Sequence, residues 1–116
     1  MNIEKFEKVY QMFKDKEEEL LRIKRHEYIG DGDGDVISNF KQIANFEGSQ
    51  PEEVCLTLIL KHLQSVQRAV ASGIYTANWY DENRHIEGLW QRISDLRNYL
   101  LLLSALIMDG LEEDSK

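Results

Sequence analysis

The apolar pattern of the chain predicts an all-α domain, a bundle of about four helices. Three observations carry this prediction. Apolar residues recur at helical spacing in four separate stretches. Gly, Ser and Asp clusters punctuate those stretches where helices start and stop. The single strand-like segment, residues 74–80, has no partner strand elsewhere in the chain.

The first helix is expected from Ile3 to about Arg25, on the spacing of Ile3, Phe6, Tyr10, Phe13, Leu20 and Leu21. Pairs such as Glu4–Lys8 lie one turn apart on its solvated faces. Gly30, Gly32 and Gly34 then alternate with Asp31, Asp33 and Asp35, which makes 27–35 a loop, since each glycine costs a helix about 1 kcal/mol. Val36, Ile37, Phe40, Ile43 and Ala44 mark a short second helix to about Asn45. Ser49-x-x-Glu52 has the form of a capping box, and Pro51 suits a first helical turn. The third helix therefore runs from about Pro51 to Ala71, with Val54 or Cys55, Leu58, Ile59, His62, Val66, Ala69 and Val70 facing inward; Ser72-Gly73 ends it. Residues 74–80 read as a connector, and Asp81 as the cap of the last helix. Ile86, Leu89, Trp90, Ile93, Leu96, Leu100, Leu103 and Ile107 form its expected buried face. Residues 99–108 are apolar nearly all round, so this end is central in the bundle or buried in an oligomer. Asp109-Gly110 closes the helix and leaves 110–116 as a frayed tail of a single domain, 1–116.

Composition excludes several functions. One Cys cannot form a bridge within the chain, and a net charge of −7 repels the phosphates of DNA and RNA. The longest apolar stretch, Tyr99 to Met108, is half of a membrane span. No export signal is visible, and a cytoplasmic protein is expected. The charge is uneven. Residues 1–25 hold seven bases against six acids, whereas 26–60 hold one base against seven acids.

Two regions offer chemistry. Asp31, Asp33 and Asp35 open like a calcium loop, but Val36 stands where the turn needs Gly and Gln42 where a bidentate Glu is required. The same carboxylates can cap the second helix from a solvated turn, or hold Mg²⁺ against a ligand's phosphates. On the last helix, Glu87, Arg92, Asp95 and Asn98 stand among apolar neighbours. Arg92 and Asp95 are spaced for an ion pair, or Asp95 projects into the bundle as a metal ligand. Lys61 and Arg68 then face it and contact phosphate, or lie at the surface. His26, His62 and His85 lack metal-ligand spacing, and Cys55 reads as a buried structural thiol. Tyr28, Phe40, Tyr75, Trp79, Tyr80 and Trp90 supply aromatic surface for packing or for stacking on a base.

A set of short motifs runs through the chain. They are Tyr28-Ile-Gly30, Asn39-Phe40 with Ile43-Ala44, Leu60-Lys61-His62 with Arg68, Glu87-Gly88, and Arg92-Ile-Ser-Asp95-Leu-Arg-Asn98-Tyr99-Leu. Together they resemble small phage and prophage proteins similar to the MazG-like all-α nucleotide pyrophosphatases. That resemblance implies a dimerising bundle that hydrolyses nucleoside triphosphates with Mg²⁺. Asp95 matches the last acid of the superfamily's Glu-x-x-Asp, with Arg92 in place of its Glu, and the third helix lacks the Glu-x-x-Glu. The implied set is Asp95 and Glu87 as catalytic residues. Lys61, Arg68, Arg92, Asn98, Tyr28 and Asn39 would bind the nucleotide. Asp95 with Asp31, Asp33 and Asp35 would hold the metal. The alternative is a non-enzymatic helical accessory protein that acts as a dimer.

Overall fold

A computed structural model of the chain describes residues 1–29 and 37–114, with side chains at 1–25 and 37–114. The chain divides into two compact units, Met1–Val36 and Ile37–Lys116. The candidate loop aspartates, Asp31, Asp33 and Asp35, and the Tyr28 side chain lie outside the described residues.

The first unit holds α1, Ile3–Ile29. Asn2 starts it: its Oδ1 accepts the Lys5 N–H at 2.8 Å, a side-chain cap on an otherwise unpaired donor. The Glu4–Lys8 pair forms at 4.0 Å, and Lys16–Glu19 adds a second at 3.8 Å. Exposed pairs of this kind contribute roughly 0.3–0.5 kcal/mol each. The helix continues one turn past the expected Arg25 to Ile29.

The second unit holds α2 (Ser38–Glu47), α3 (Pro51–Ser72), a hairpin of β1 (Tyr80–Asp81) and β2 (Ile86–Glu87), and α4 (Leu89–Asp114). Gly48 ends α2 in the left-handed conformation at φ 72°, where its N–H reaches the Ala44 carbonyl. Pro51 occupies the first turn of α3 as expected. The capping box does not form: Gln50 is the N-cap, no side chain caps the helix, and the Ser49 hydroxyl is buried without a partner. Gly73 closes α3, its N–H shared by the Ala69 and Val70 carbonyls.

Residues 74–88 differ most from expectation. The segment is no plain connector, because the strand partner is local: Tyr80 pairs with Glu87, and Asp81 with Ile86, in antiparallel register. Asp81 does not cap α4. Its Oδ1 accepts the N–H groups of Asn83 (3.0 Å) and Arg84 (3.1 Å), and its Oδ2 accepts the Thr76 hydroxyl. This arrangement folds the chain back on itself. The Thr76 hydroxyl, then the Arg84 and Asn83 amides and the Arg84 charge, hold the Asp81 carboxyl below its ordinary value against the opposing effect of burial. Helix α4 consequently begins eight residues later than Asp81, and Ile86 stands in β2 rather than on the helix. Backbone carbonyls replace the expected cap. Thr76 accepts the Leu89 N–H at 2.9 Å and Asn78 accepts that of Trp90 at 3.1 Å. Only glycine fits at 88, because a Cβ there would sit 1.9 Å from the Asn78 carbonyl oxygen.

Helices α3 and α4 pack antiparallel. Cys55 near the start of α3 donates to the Tyr99 carbonyl, Ser65 lies further along against Arg92, and Lys41 of α2 pairs with Asp109 at 2.9 Å. The core comprises Ile37, Phe40, Ala44, Val54, Cys55, Ile59, Ala69, Leu89 and Leu106. Tyr99 is its aromatic centre, edge-on to Phe40 and stacked on His62 at 4.9 Å. Burial pushes the Cys55 thiol up, as expected for a structural thiol.

Of the face expected to turn inward on α4, Leu89 is buried and Trp90, Ile93, Leu96 and Leu103 are half-buried, but Leu100 and Ile107 are exposed. Leu89, Ser94, Asp95, Asn98 and Leu106 are buried, whereas Leu100, Leu101, Ile107, Met108 and Leu111 are exposed. The helix also runs through Gly110 to Asp114 instead of stopping at Asp109-Gly110. On α3 the inward stripe is as expected at Val54, Cys55, Ile59 and Ala69, but Val70 is exposed.

Candidate functional site: a cationic cleft between α3, α4 and the hairpin

Three expected residues, Lys61, Glu87 and Arg92, line one cleft of about 490 Å³ with His62, Ser65, Tyr80, His85 and Ile86. Each element contributes for a local reason. Lys61, His62 and Ser65 span one turn of α3. Arg92 stands in the first turns of α4, whose start is fixed by the carbonyls of 76–79. The Asp81 turn brings His85, Ile86 and Glu87 back to the rim.

Arg92 is held by neutral groups. One guanidinium nitrogen donates to Ser65 Oγ at 3.3 Å and another to the Glu87 backbone carbonyl at 3.4 Å. The expected Arg92–Asp95 ion pair is not formed. Among the described residues no carboxylate lies within ion-pairing distance of either Arg92 or Lys61. Two fixed positive charges therefore face a cleft with two imidazoles, two hydroxyls and a single acid, Glu87. Most of the five guanidinium N–H donors stay available in a planar fork that matches phosphate oxygens.

His85 closes the four-residue turn between β1 and β2. It adopts φ 56°, the only positive φ at a non-glycine residue among those described. The left-handed conformation suits the end of a short hairpin loop. Here it presents an imidazole to the cleft.

The other expected residues lie elsewhere. Asp95 is buried in the α3–α4 interface, where Oδ1 accepts the Gln91 side-chain amide at 3.0 Å. Asn98 is buried beside it with its side-chain nitrogen unpaired, and Ser94 Oγ is likewise buried and unpaired. Arg68 and Asn39 are exposed and do not line the cleft. Asp95 and Glu87 are thus not brought together. Among the described residues no three His, Cys, Asp or Glu side chains converge as metal ligands. A hydrolytic Mg²⁺ centre needs several convergent carboxylates, and among the described residues the cleft has Glu87 alone.

Sequence reasoning missed His62, Ser65 and His85 as partners of this cleft, and named Tyr80 only as aromatic surface. His62 and Ser65 were legible in principle, at i+1 and i+4 from Lys61. Tyr80 and His85 were hidden by the reading of 74–80 as a connector. Among the described residues, no helix is long and apolar enough to cross a membrane. Comparisons with protein-family models, curated proteins and solved structures found no match to this chain.

Proposed function

We propose that the chain binds a nucleotide through its phosphates in the cleft of Lys61, His62, His85 and Arg92. The observation that carries this reading is local charge reversal. In a chain of net charge −7, Lys61 and Arg92 converge with neither neutralised by a carboxylate. Its volume lies within the usual range of small-molecule sites, roughly 300–1,000 Å³. Tyr80 and Ile86 give the rim an apolar side against which a base or sugar can lie. The resemblance to the MazG-like pyrophosphatases favours a nucleotide over other anions. The carboxylates at the cleft do not suit a multi-metal centre, so the reading is binding, and no step is routed through Mg²⁺ or Ca²⁺.

Calorimetric titration of the full chain with inorganic pyrophosphate and with a panel of deoxynucleoside triphosphates tests this. Saturable binding below about 1 mM is expected, and Arg92→Ala should weaken it about tenfold or more, the worth of one charge-assisted hydrogen bond. No binding heat at millimolar ligand, or equal binding by the variant, would remove the reading.

A second reading, self-association of this helical chain as a dimer, is favoured by a different observation. Large apolar side chains on α3 and α4 remain exposed although the α3–α4 interface buries Ser94, Asp95 and Asn98. Exposed apolar side chains in this number suit an interaction face.

A further inference from the structure

The two histidines of the cleft give its lining a charge that depends on pH. Lys61 and Arg92 against Glu87 leave one net positive charge while both imidazoles are neutral, and three when both carry a proton. Histidine is the side chain that gains its charge between about pH 5 and 8. We infer that His62 and His85 gate the cleft by protonation, so that phosphate oxygens bind more tightly as pH falls through this range and their binding takes up protons. The proposal rests on the phosphate-binding reading and names the regulation of the same site.

The groups around each imidazole set the direction of the coupling. His62 is half-buried on α3, next to Lys61. One of its faces lies on the Tyr99 ring of α4, with centroids 4.9 Å apart and 27° between the planes. An aromatic face attracts a cation, so the stack accommodates an imidazolium. The charges that share the cleft with His62 are Lys61 from α3, Arg92 from α4, and Glu87 and His85 from the hairpin, with the Tyr80 phenol beside them. Asp95, one turn before Tyr99, is buried in the α3–α4 interface with Oδ1 accepting from Gln91, and does not line the cleft. His85 is exposed at the end of the β1–β2 turn, which also carries Glu82 and Arg84. Arg84 is directed to Asp81 at 3.9 Å. Before an anion binds, Lys61 and Arg92 oppose protonation of the imidazoles; an anion seated among the four groups reverses that balance. Proton and anion therefore strengthen each other by the same factor. A cleft of Lys and Arg alone would keep its own charge across this range.

Calorimetry of the full chain with inorganic pyrophosphate at about pH 8 and about pH 5.5 tests the proposal, with His62→Gln/His85→Asn beside the wild type. Gln and Asn keep a neutral hydrogen-bonding group, and Asn tolerates the left-handed backbone at residue 85. Any titration of pyrophosphate or of Glu87 is common to both proteins, so the ratio of their affinities isolates the imidazoles. That ratio should be about one at the higher pH and grow about fivefold or more for each imidazole replaced at the lower. Wild-type titrations in two buffers of different ionisation enthalpy should show more protons taken up than by the variant. Should loss of the His62–Tyr99 stack unfold the double variant, His85→Asn alone, at an exposed turn, should show the fivefold growth by itself, about one imidazole's worth. An affinity ratio that is the same at both pH values, with the wild type binding at both, would overturn the gating and leave the phosphate-binding reading standing. No binding by the wild type at either pH would overturn both.

Discussion

Arg92 and Asp95 stand three residues apart, yet the fold gives them opposite fates. Arg92 reaches out to Ser65 and the Glu87 carbonyl and keeps its charge uncompensated at the cleft. Asp95 turns into the α3–α4 interface and accepts a hydrogen bond from Gln91. The two therefore separate experimentally. Asp95→Ala removes a buried hydrogen-bonded carboxylate, a loss of about 1–3 kcal/mol. For a unit of this size that lowers the melting temperature by roughly 4–8 °C per kcal/mol. Pyrophosphate affinity should stay within about twofold, since sites that share no partner act independently. A large affinity loss with no loss of stability would instead make Asp95 a ligand-contacting residue. Gly88 gives a purely steric case. Gly88→Ala drives a Cβ against the Asn78 carbonyl. The variant should lose about 2 kcal/mol or more, read as a melting temperature lower by roughly 10 °C.

At the scale of elements, the hairpin and the start of α4 form one device centred on Asp81. Its carboxylate ties Thr76 to the Asn83–Arg84 turn, and the 76–79 carbonyls then receive the first N–H groups of α4. These bonds favour the ionised form, so the folded pKa lies below the ordinary value of about 3.9. The stability that the lowered pKa brings is present above that value and is lost as pH falls through the folded one. Asp81→Asn should therefore be less stable than wild type at neutral pH and lose less on acidification below about pH 4. Parallel acid-denaturation curves for the two proteins would contradict this role. The device was not legible beforehand because a two-residue strand whose partner lies six residues on leaves no period-2 pattern to read. Asp81 was read as a helix cap because Asp suits both a cap and an Asx turn. The helices themselves were legible. Gly48, Pro51 and Gly73 act where their backbone preferences place them. The inward face of α4 was legible only in part, because periodicity identifies an apolar stripe without telling which neighbour covers each part of it. The stripe of Leu100 and Ile107 is exposed in the single chain, while polar Ser94, Asp95 and Asn98 line the helix contact.

For the whole molecule, the net charge of −7 conceals a separation of charge within Ile37–Lys116. One cleft, at the start of α3 and the end of α4, gathers Glu52, Asp109, Glu113 and Asp114 with Lys41, and a second gathers Lys61, Arg92 and two histidines with Glu87. The sequence supplied Lys61, Glu87 and Arg92 for the second cleft, but as parts of a metal-centred set with Asp95. Their actual bond is a shared cleft, which depends on the hairpin. The central claim is that this cleft takes phosphate through Lys61 and Arg92. Calorimetry of the full chain with inorganic pyrophosphate, repeated with Lys61→Ala/Arg92→Ala, tests it most directly. The account predicts saturable binding by the wild type and about a hundredfold or greater loss in the double variant, whose circular dichroism stays that of the wild type. Binding of equal strength by both proteins, or by neither, would contradict it.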